Sequence, residues 1–134
     1  MSLSLQPPEF FVDRSLGRHR VAQELRAAGW ALRTHHEVFG ARDEDVPDVE
    51  WIEYCGREEL PVLTKDRRLR YRPDEIASVR RHRIKIFVLA RADLLTAEQA
   101  ARFNRNIDRI VDACLDRGPF VYAVHADEIV RLFP

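Results

Sequence analysis

The chain has 134 residues, of which 46% are hydrophobic and 33% are charged, and its formal net charge is zero. This length and balance are ordinary for a soluble globular protein, so we expect residues 1–134 to form a single domain. The sequence has no apolar run of about 18 residues, and its start lacks the basic and apolar segments of a signal peptide. We therefore expect a cytoplasmic protein without a membrane span.

The neutral total conceals two blocks of opposite charge. Nine acidic and two basic residues lie between Glu37 and Glu59, a net charge of −7. Eight basic and two acidic residues lie between Arg67 and Lys85, a net charge of +6. The basic block suits a polyanionic partner, although a genome composition that favours arginine explains it equally well.

The first half of the chain predicts three strands separated by two helices. In order, these are a strand at 9–12 (EFFV), a helix within 15–30, a strand at 30–35 (WALRTH), a helix that begins near 47, and a strand at 61–64 (PVLT). Gly29 can cap the first helix, and Pro47 can open the second, which stops near Gly56. The apolar face of the second helix is predicted to consist of Val49, Ile52 and Cys55. GARDEDVP (40–47) is typical of a loop.

The second half continues the alternation. Pro73 opens a short helix, IKIFVLA (84–90) is the clearest buried strand, and Thr96 with Gln99 predicts a capping box at the start of a long helix. Gly118 ends that helix. FVYAV (120–124) and EIVRLF (128–133) predict two closing strands that form a hairpin. Strands that alternate with helices predict a three-layer α/β/α domain with a mainly parallel central sheet.

Cysteine and histidine residues give no pattern for a zinc site or a disulfide. Cys55 and Cys114 both fall in apolar helical patterns, which is typical of reduced core thiols in a cytosolic protein. The five histidines are interpreted as structural or solvent-facing. Asn104 and Asn106 are interpreted as residues of a helix surface.

Three aspartates are candidates for a metal site. Asp13 follows the first strand, Asp66 follows PVLT, and Asp48 opens the helix before that strand. Parallel strands present their carboxyl ends at one edge of a sheet, so the three side chains can converge. Carboxylate oxygens suit Mg²⁺ or Mn²⁺, which can activate water and polarise a phosphate. An aspartate after a strand is more often a helix cap or a turn residue, so spacing leaves both interpretations open.

The ordered set of motifs resembles the PIN-like nuclease superfamily, in particular its VapC-like branch, related to the Mut7-C and DUF5615 groups. The resemblance rests on FFVDRSLGRHRVAQELRAAGW (10–30) and on DVEWIEYCGREELPVLTKD (48–66), and it covers roughly residues 10–90. It implies that Asp13, Asp48 and Asp66 are catalytic metal ligands and that Mg²⁺ or Mn²⁺ supports hydrolysis of RNA. It also implies a small antitoxin partner and a homodimer, because many short members of this family are toxins of toxin–antitoxin pairs.

One position departs from the family pattern. The family often continues T-x-D-x-D-F, whereas this chain has Arg68 where a fourth acidic residue would stand. Three alternatives stay open: three carboxylates suffice, another acid replaces the fourth, or the site binds metal poorly and the protein is no longer a competent nuclease. The candidate replacements are Glu50, Asp74 and Asp93.

Basic residues beside the three aspartates are candidates for binding the substrate. Arginine binds phosphate oxygens through a planar set of donors, and an aromatic ring can stack on an unpaired base. The predicted substrate-binding residues are Arg14, Arg67, Arg68 and Arg70, with Tyr71 as the stacking ring. A solvated loop, or a surface that docks an acidic antitoxin, explains the same arginines.

Two rival functions follow from the same residues. A PIN-like module with a degraded site would bind RNA or a protein partner without cleaving, and Arg68 supports that interpretation. A receiver-like domain phosphorylated on aspartate would need two acidic residues close to the first strand, and only Asp13 is there. The nuclease is therefore the leading hypothesis.

Overall fold

The computed structural model describes residues 8–133, with the exception of the side chains of Leu69 and Arg70. The helices and strands follow one another in this order: β1 (Phe10–Val12), α1 (Arg20–Ala27), β2 (Leu32–Thr34), α2 (His35–Phe39), α3 (Asp48–Glu58), β3 (Val62–Thr64), α4 (Pro73–His82), β4 (Lys85–Leu89), α5 (Thr96–Arg105), α6 (Ile107–Ala113), β5 (Phe120–Val124) and β6 (Ile129–Phe133). Short 3-10 helices span Arg14–Leu16, Gly40–Asp45 and Arg67–Arg70.

The described strands form one sheet in the order β2-β1-β3-β4-β5-β6. All neighbours are parallel except β5 and β6, which form the predicted antiparallel hairpin. The chain passes from β1 to β2 on one side and then returns to β3 on the other, so the strand order reverses between β1 and β3. A crevice for ligands is expected at such a reversal, beyond the carboxyl ends of the strands.

Two hydrophobic cores lie on opposite faces of the sheet. The first packs α1, α5 and α6 against one face and includes Phe10, Leu25 and Phe103. The second packs α3 and α4 against the other face and includes Phe11 and Trp51. Neighbouring residues of a strand point to opposite faces, so Phe10 and Phe11 enter different cores. The predicted three-layer α/β/α fold with a mainly parallel sheet is confirmed.

The close approach of α3 and α4 depends on a glycine. A Cβ at Gly56 would lie 2.7 Å from the Cβ of His82, which is closer than two carbon atoms can pack. The predicted stop of α3 near Gly56 is wrong, because the helix continues to Glu58 and ends at Glu59 in a left-handed conformation. Gly56 thus serves packing between helices and not the end of one.

Several local predictions differ from the structure. The predicted loop GARDEDVP is mostly a 3-10 helix, and α2 before it begins with an unpredicted capping box of Thr34 and Glu37. The predicted capping box of Thr96 is wrong, because Leu95 is the N-cap and no side chain caps the helix there. Val49 is 43% exposed, so the buried face of α3 is Trp51, Ile52 and Cys55.

The predicted long helix is two helices. Asn106 is fully buried at the break between α5 and α6, where its side-chain amide donates to the backbone oxygens of Arg102 and His125. The interpretation of Asn106 as a helix-surface residue is therefore wrong. Asn104 is half-buried and accepts a hydrogen bond from the indole of Trp30.

Cys55 is buried in the second core, and Cys114 packs against the first. Burial raises the pKa of the Cys114 thiol to about 12. Among the described residues, no helix is both long enough and apolar enough to span a membrane. That residues 1–134 form a single domain stays a prediction.

Candidate active site

A cleft opens at the carboxyl edge of the sheet, where the strand order reverses. Its volume is about 600 Å³. The three predicted aspartates all line it, since Asp13 directly follows β1, Asp66 follows β3, and α3 begins at Asp48. The other lining residues are Arg14, Ser15, Lys65, Arg67, Arg68, Arg72 and Ala92. The fold therefore brings a group of carboxylates and a group of cationic side chains to one crevice.

Asp13 is buried without a positively charged hydrogen-bond partner. Its side chain is 6% exposed, and its Oδ2 atom accepts from the Thr64 hydroxyl at 2.8 Å and from the Ser15 backbone N–H at 3.3 Å. Burial raises the pKa of Asp13, the hydrogen bonds from Ser15 and Thr64 oppose the rise, and the charge of Asp48 adds to it.

Thr64 is the residue that holds Asp13 in place. Its hydroxyl donates to Asp13 and accepts from the backbone N–H of Asp66 at 3.0 Å. The single proton of the Thr64 hydroxyl goes to Asp13, so the Ser15 hydroxyl, 3.1 Å away, donates to Thr64. The Ser15 hydroxyl also accepts from the N–H of Lys65 at 3.1 Å. This network ties the end of β1 to the end of β3.

Asp48 lies at the start of α3, where a carboxylate is favoured by the helix dipole. Its Oδ1 accepts from the Trp51 indole at 2.8 Å, and its Oδ2 lies 3.0 Å from Arg72 Nη1. Burial alone would raise the pKa of Asp48, but the hydrogen bonds from Glu75 and Trp51 and the charges of Arg72 and Arg14 outweigh it, so the pKa is lowered.

Asp66 precedes the 3-10 helix at Arg67–Arg70 and caps it. Its Oδ1 accepts from the Arg68 backbone N–H at 3.0 Å and lies 3.4 Å from Arg68 Nε. Capping accounts for one oxygen of Asp66. The other oxygen, Oδ2, lies 3.6 Å from Arg72 Nη1.

Glu75 is a fourth carboxylate that the sequence did not reveal. It lies in the first turn of α4, its side chain is 12% exposed, and it shares a hydrogen bond with Asp48. Burial raises the pKa of Glu75, and the hydrogen bond with Asp48 raises it further, so Glu75 is the member of the pair that holds a proton more readily. The sequence offered one sign of this role: Glu75 lies two residues after Pro73, the residue predicted to open a helix soon after Asp66.

The three acids suggested as substitutes for the missing fourth acidic residue do not line the cleft. Arg42 binds both carboxylate oxygens of Glu50, and Arg91 binds both of Asp93. Asp74 is exposed and does not line the cleft. Glu75 does not line the cleft either, but its side chain is only 12% exposed and it contacts Arg72 at 3.0 Å, the same guanidinium that contacts Asp48, so it is the better candidate.

Arg72 lies among three of the carboxylates. Its Nη1 atom is 3.0 Å from Asp48 Oδ2, 3.0 Å from Glu75 Oε1 and 3.6 Å from Asp66 Oδ2. Within residues 8–133, no three acidic, histidine or cysteine side chains converge closely enough to hold a metal ion as they stand. The guanidinium group fills the space between these carboxylates.

The predicted substrate-binding arginines differ in their surroundings. Arg14, Arg67 and Arg68 all line the cleft. Arg14 Nη1 donates to the backbone oxygen of Asp43 at 2.9 Å, which fixes its direction. The side chain of Arg70 lies outside the described part of the structure. Tyr71 is 66% exposed beside them.

Comparison with known proteins identifies the family. A family model described as "PIN like domain" matches residues 8–91. The chain belongs to the PIN-like domain family. The matched part of this PIN-like domain contains the three carboxylates of the cleft, Arg72 and the neighbouring Glu75. The predicted resemblance is thereby confirmed, and the family assignment replaces the receiver-like alternative.

A curated relative matches most of the chain. It is 37% identical over 123 residues, covers 91% of this chain and 89% of its own length, and is named "Putative ribonuclease VapC45", from Mycobacterium tuberculosis (strain ATCC 25618 / H37Rv). This match supports the VapC-type branch within the PIN-like family. No solved structure matches the chain.

Proposed function

We propose that this PIN-like domain is an endoribonuclease that depends on Mg²⁺ or Mn²⁺ and hydrolyses RNA phosphodiesters. The observation that carries the proposal is the meeting of Asp13, Asp48 and Asp66 in one cleft with cationic side chains at its rim. The printed name of the curated relative, a ribonuclease, agrees with this chemistry.

The donor set of the cleft fits a hard divalent cation. Mg²⁺ and Mn²⁺ prefer carboxylate oxygens, and Asp13, Asp48 and Asp66 provide them in the cleft. Glu75, which contacts Arg72 beside the cleft, is a further carboxylate. Asp13 is the strongest indication, because its carboxylate is buried among neutral donors and a nearby cation would offset the cost of that burial. We assign Asp13, Asp48 and Asp66 as ligands. We assign Glu75 as the substitute for the fourth acidic residue, whose usual position is occupied by Arg68 in this chain.

Residues around the three ligands would orient them and bind the RNA. A bound divalent ion would lower the pKa of the attacking water and polarise the phosphate. Thr64 keeps the Asp13 carboxylate in a fixed orientation through its 2.8 Å hydrogen bond. Arg67 and Arg68, both exposed at the cleft, would bind the RNA backbone, since guanidinium groups match phosphate oxygens.

The biological role that we propose is that of a toxin in a toxin–antitoxin pair. This part rests on the VapC name of the relative and on the family resemblance. A small antitoxin would bind the protein in the cytoplasm and block RNA, and two copies would form a homodimer. Copurification with the product of a small neighbouring gene, and the mass of the complex in solution, would test these partners.

A second function is favoured by two observations. Arg68 stands at the position of the usual fourth acid, and Arg72 already neutralises part of the carboxylate cluster. A degraded PIN-like module would bind RNA or a protein partner without cleavage. It would bind Mn²⁺ weakly and would be indifferent to the loss of Asp66.

Cleavage of RNA by the wild type and by Asp66→Asn separates the two functions. Both proteins would be incubated with a pool of end-labelled RNA in Mn²⁺, in Mg²⁺ and in EDTA. We expect cleavage by the wild type only with metal, and a loss of about 100-fold or more in Asp66→Asn, because stabilisation by a metal is worth several kcal/mol and each 1.4 kcal/mol is tenfold.

Asp112→Asn is the matched control. Asp112 is exposed on α6 and does not line the cleft, so the same change of charge should leave cleavage unchanged. Equal cutting by Asp66→Asn and the wild type would indicate a contaminating ribonuclease. Absence of cutting by a folded wild type would favour the binding module.

A further inference from the structure

Arg72 occupies a position that no other described cationic side chain of the cleft shares. One nitrogen, Nη1, contacts Asp48 and Glu75 at 3.0 Å each and approaches Asp66 at 3.6 Å. Arg68 contacts only Asp66 among these acids, and its side chain is 75% exposed. Arg67 forms no ion pair with any residue that the structure describes. Among the described residues, Arg72 is therefore the one that contacts Asp48, Asp66 and Glu75 at the same time.

The contacts of Arg72 are local and partly shielded from solvent. Its side chain is 35% exposed, whereas the carboxylates of Asp48, Asp66 and Glu75 are 23%, 18% and 12% exposed. The charge of a guanidinium is permanent, because arginine does not lose its proton in proteins. One positive charge therefore remains beside these acids under all ordinary conditions.

A divalent ion and the Arg72 guanidinium need the same oxygens. Divalent cations such as Mg²⁺ bind carboxylate oxygens directly, at about 2 Å, which leaves no room for an N–H donor on the same side. Two cations within a few ångströms of each other also repel. Arg72 cannot keep its three contacts while an ion bridges the same carboxylates.

We propose that Arg72 is a built-in counter-cation that a divalent ion must displace from Asp48, Asp66 and Glu75. Arg72 holds these acids together in the metal-free protein and weakens metal binding by competing for their oxygens. It is thus a positioning residue that sets the concentration of divalent ion at which the site fills. This inference rests on the proposed metal-dependent function.

Affinity for Mn²⁺ in the absence of RNA tests the competition. Isothermal titration would compare the wild type with Arg72→Gln, Arg72→Lys and Arg67→Gln. Arg72→Gln should bind Mn²⁺ about tenfold or more tightly than the wild type. A charge within about 4–6 Å changes the pKa of a carboxylate, and so its affinity for a proton, by about one to three units, and we expect an effect of at least that order on a divalent ion. Arg72→Lys, which keeps the charge, should stay near the wild type.

Arg67→Gln is the matched control. It removes the same charge from the same cleft without touching the carboxylates, so its Mn²⁺ affinity should stay within about twofold of the wild type. Melting temperature gives a second readout. In EDTA, Arg72→Gln should melt below the wild type, and Mn²⁺ should raise its melting temperature by more.

The outcomes separate this inference from the proposed function. Tighter binding by Arg72→Gln alone supports the competition. Equal or weaker binding by Arg72→Gln, with Mn²⁺ bound by the wild type, overturns the competition and leaves the proposed metal site intact. Absence of binding in every variant overturns both.

Discussion

Two buried aspartates in this molecule are held in opposite ways. Asp43 is 2% exposed and contacts Arg18 Nε at 3.1 Å and the Nδ1 atom of the buried His35. Asp13 is 6% exposed, and its hydrogen-bond donors are the neutral groups of Thr64 and Ser15. Asp43 has a cationic partner, Arg18, whereas Asp13 has only neutral donors among the described residues.

The pKa values follow this difference. Burial raises the pKa of Asp43, but the contacts with His35 and Arg18 outweigh it, so the pKa is lowered. Burial dominates at Asp13, and its pKa is raised. Burial of a carboxylate therefore does not by itself indicate a functional site. A buried carboxylate that lines a cleft without a cationic partner does indicate one.

Asp43→Asn is expected to have the largest effect on stability. It should lower the free energy of unfolding by about 3 kcal/mol, because it leaves Arg18 and His35 against a neutral amide. Urea denaturation at neutral pH would measure the change. Asp45→Asn, at an exposed position of the same 3-10 helix, should change the value by less than about 0.5 kcal/mol.

The stabilisation by Asp43 also predicts a direction with pH. Because its folded-state pKa lies below the ordinary value of 3.8, the contribution is present above that pH and is lost as the pH falls through the folded-state pKa. If Asp43→Asn and Asp45→Asn were equally stable, the contacts of Asp43 with Arg18 and His35 would contribute nothing to stability, and the contrast between Asp43 and Asp13 would fail.

Thr64→Val is expected to have an intermediate effect. The hydroxyl of Thr64 donates to Asp13 and accepts from the N–H of Asp66 and the Ser15 hydroxyl, so valine removes one hydrogen bond from each of three buried or half-buried groups. The free energy of unfolding should fall by about 2 kcal/mol. Thr64→Ser keeps the hydroxyl and should lose less. A Thr64→Val protein as stable as the wild type would show that the network adds nothing.

Asp13→Asn should have the smallest effect and the opposite sign. An amide can still accept from Thr64 and Ser15 but carries no charge to bury, so at neutral pH in EDTA the free energy of unfolding should rise by about 1 kcal/mol. The raised pKa means that the ionised form costs stability above it, and that the cost disappears as the pH falls towards 3.8.

The gain in Asp13→Asn should therefore shrink as the pH is lowered, which urea denaturation across a pH series would measure. Added Mn²⁺ should stabilise the wild type more than Asp13→Asn, because a ligand stabilises only the form that binds it. A variant less stable than the wild type at neutral pH would mean that the charge of Asp13 is compensated within the protein.

The sequence by itself determined the order of strands and helices along the chain and the meeting of Asp13, Asp48 and Asp66 at one edge of the sheet. Short apolar runs ended at Asp13 and Asp66, and in a parallel sheet the ends of such runs must meet at one edge. Pro47 placed Asp48 at the start of its helix in the same way. These features depend on the local pattern of apolar and polar residues, which the sequence shows directly, and on the right-handedness of crossovers, which is a general rule.

Contacts between distant residues were decided only by the tertiary structure. Arg72 meets Asp48 across 24 positions, and His35 pairs with Asp43 from a helix that the pattern did not reveal. The break at Asn106 depends on a hydrogen bond to His125 from another element. Which carboxylate receives a cation and which stays without one depends on packing of whole elements in space, and no periodicity in the sequence encodes it.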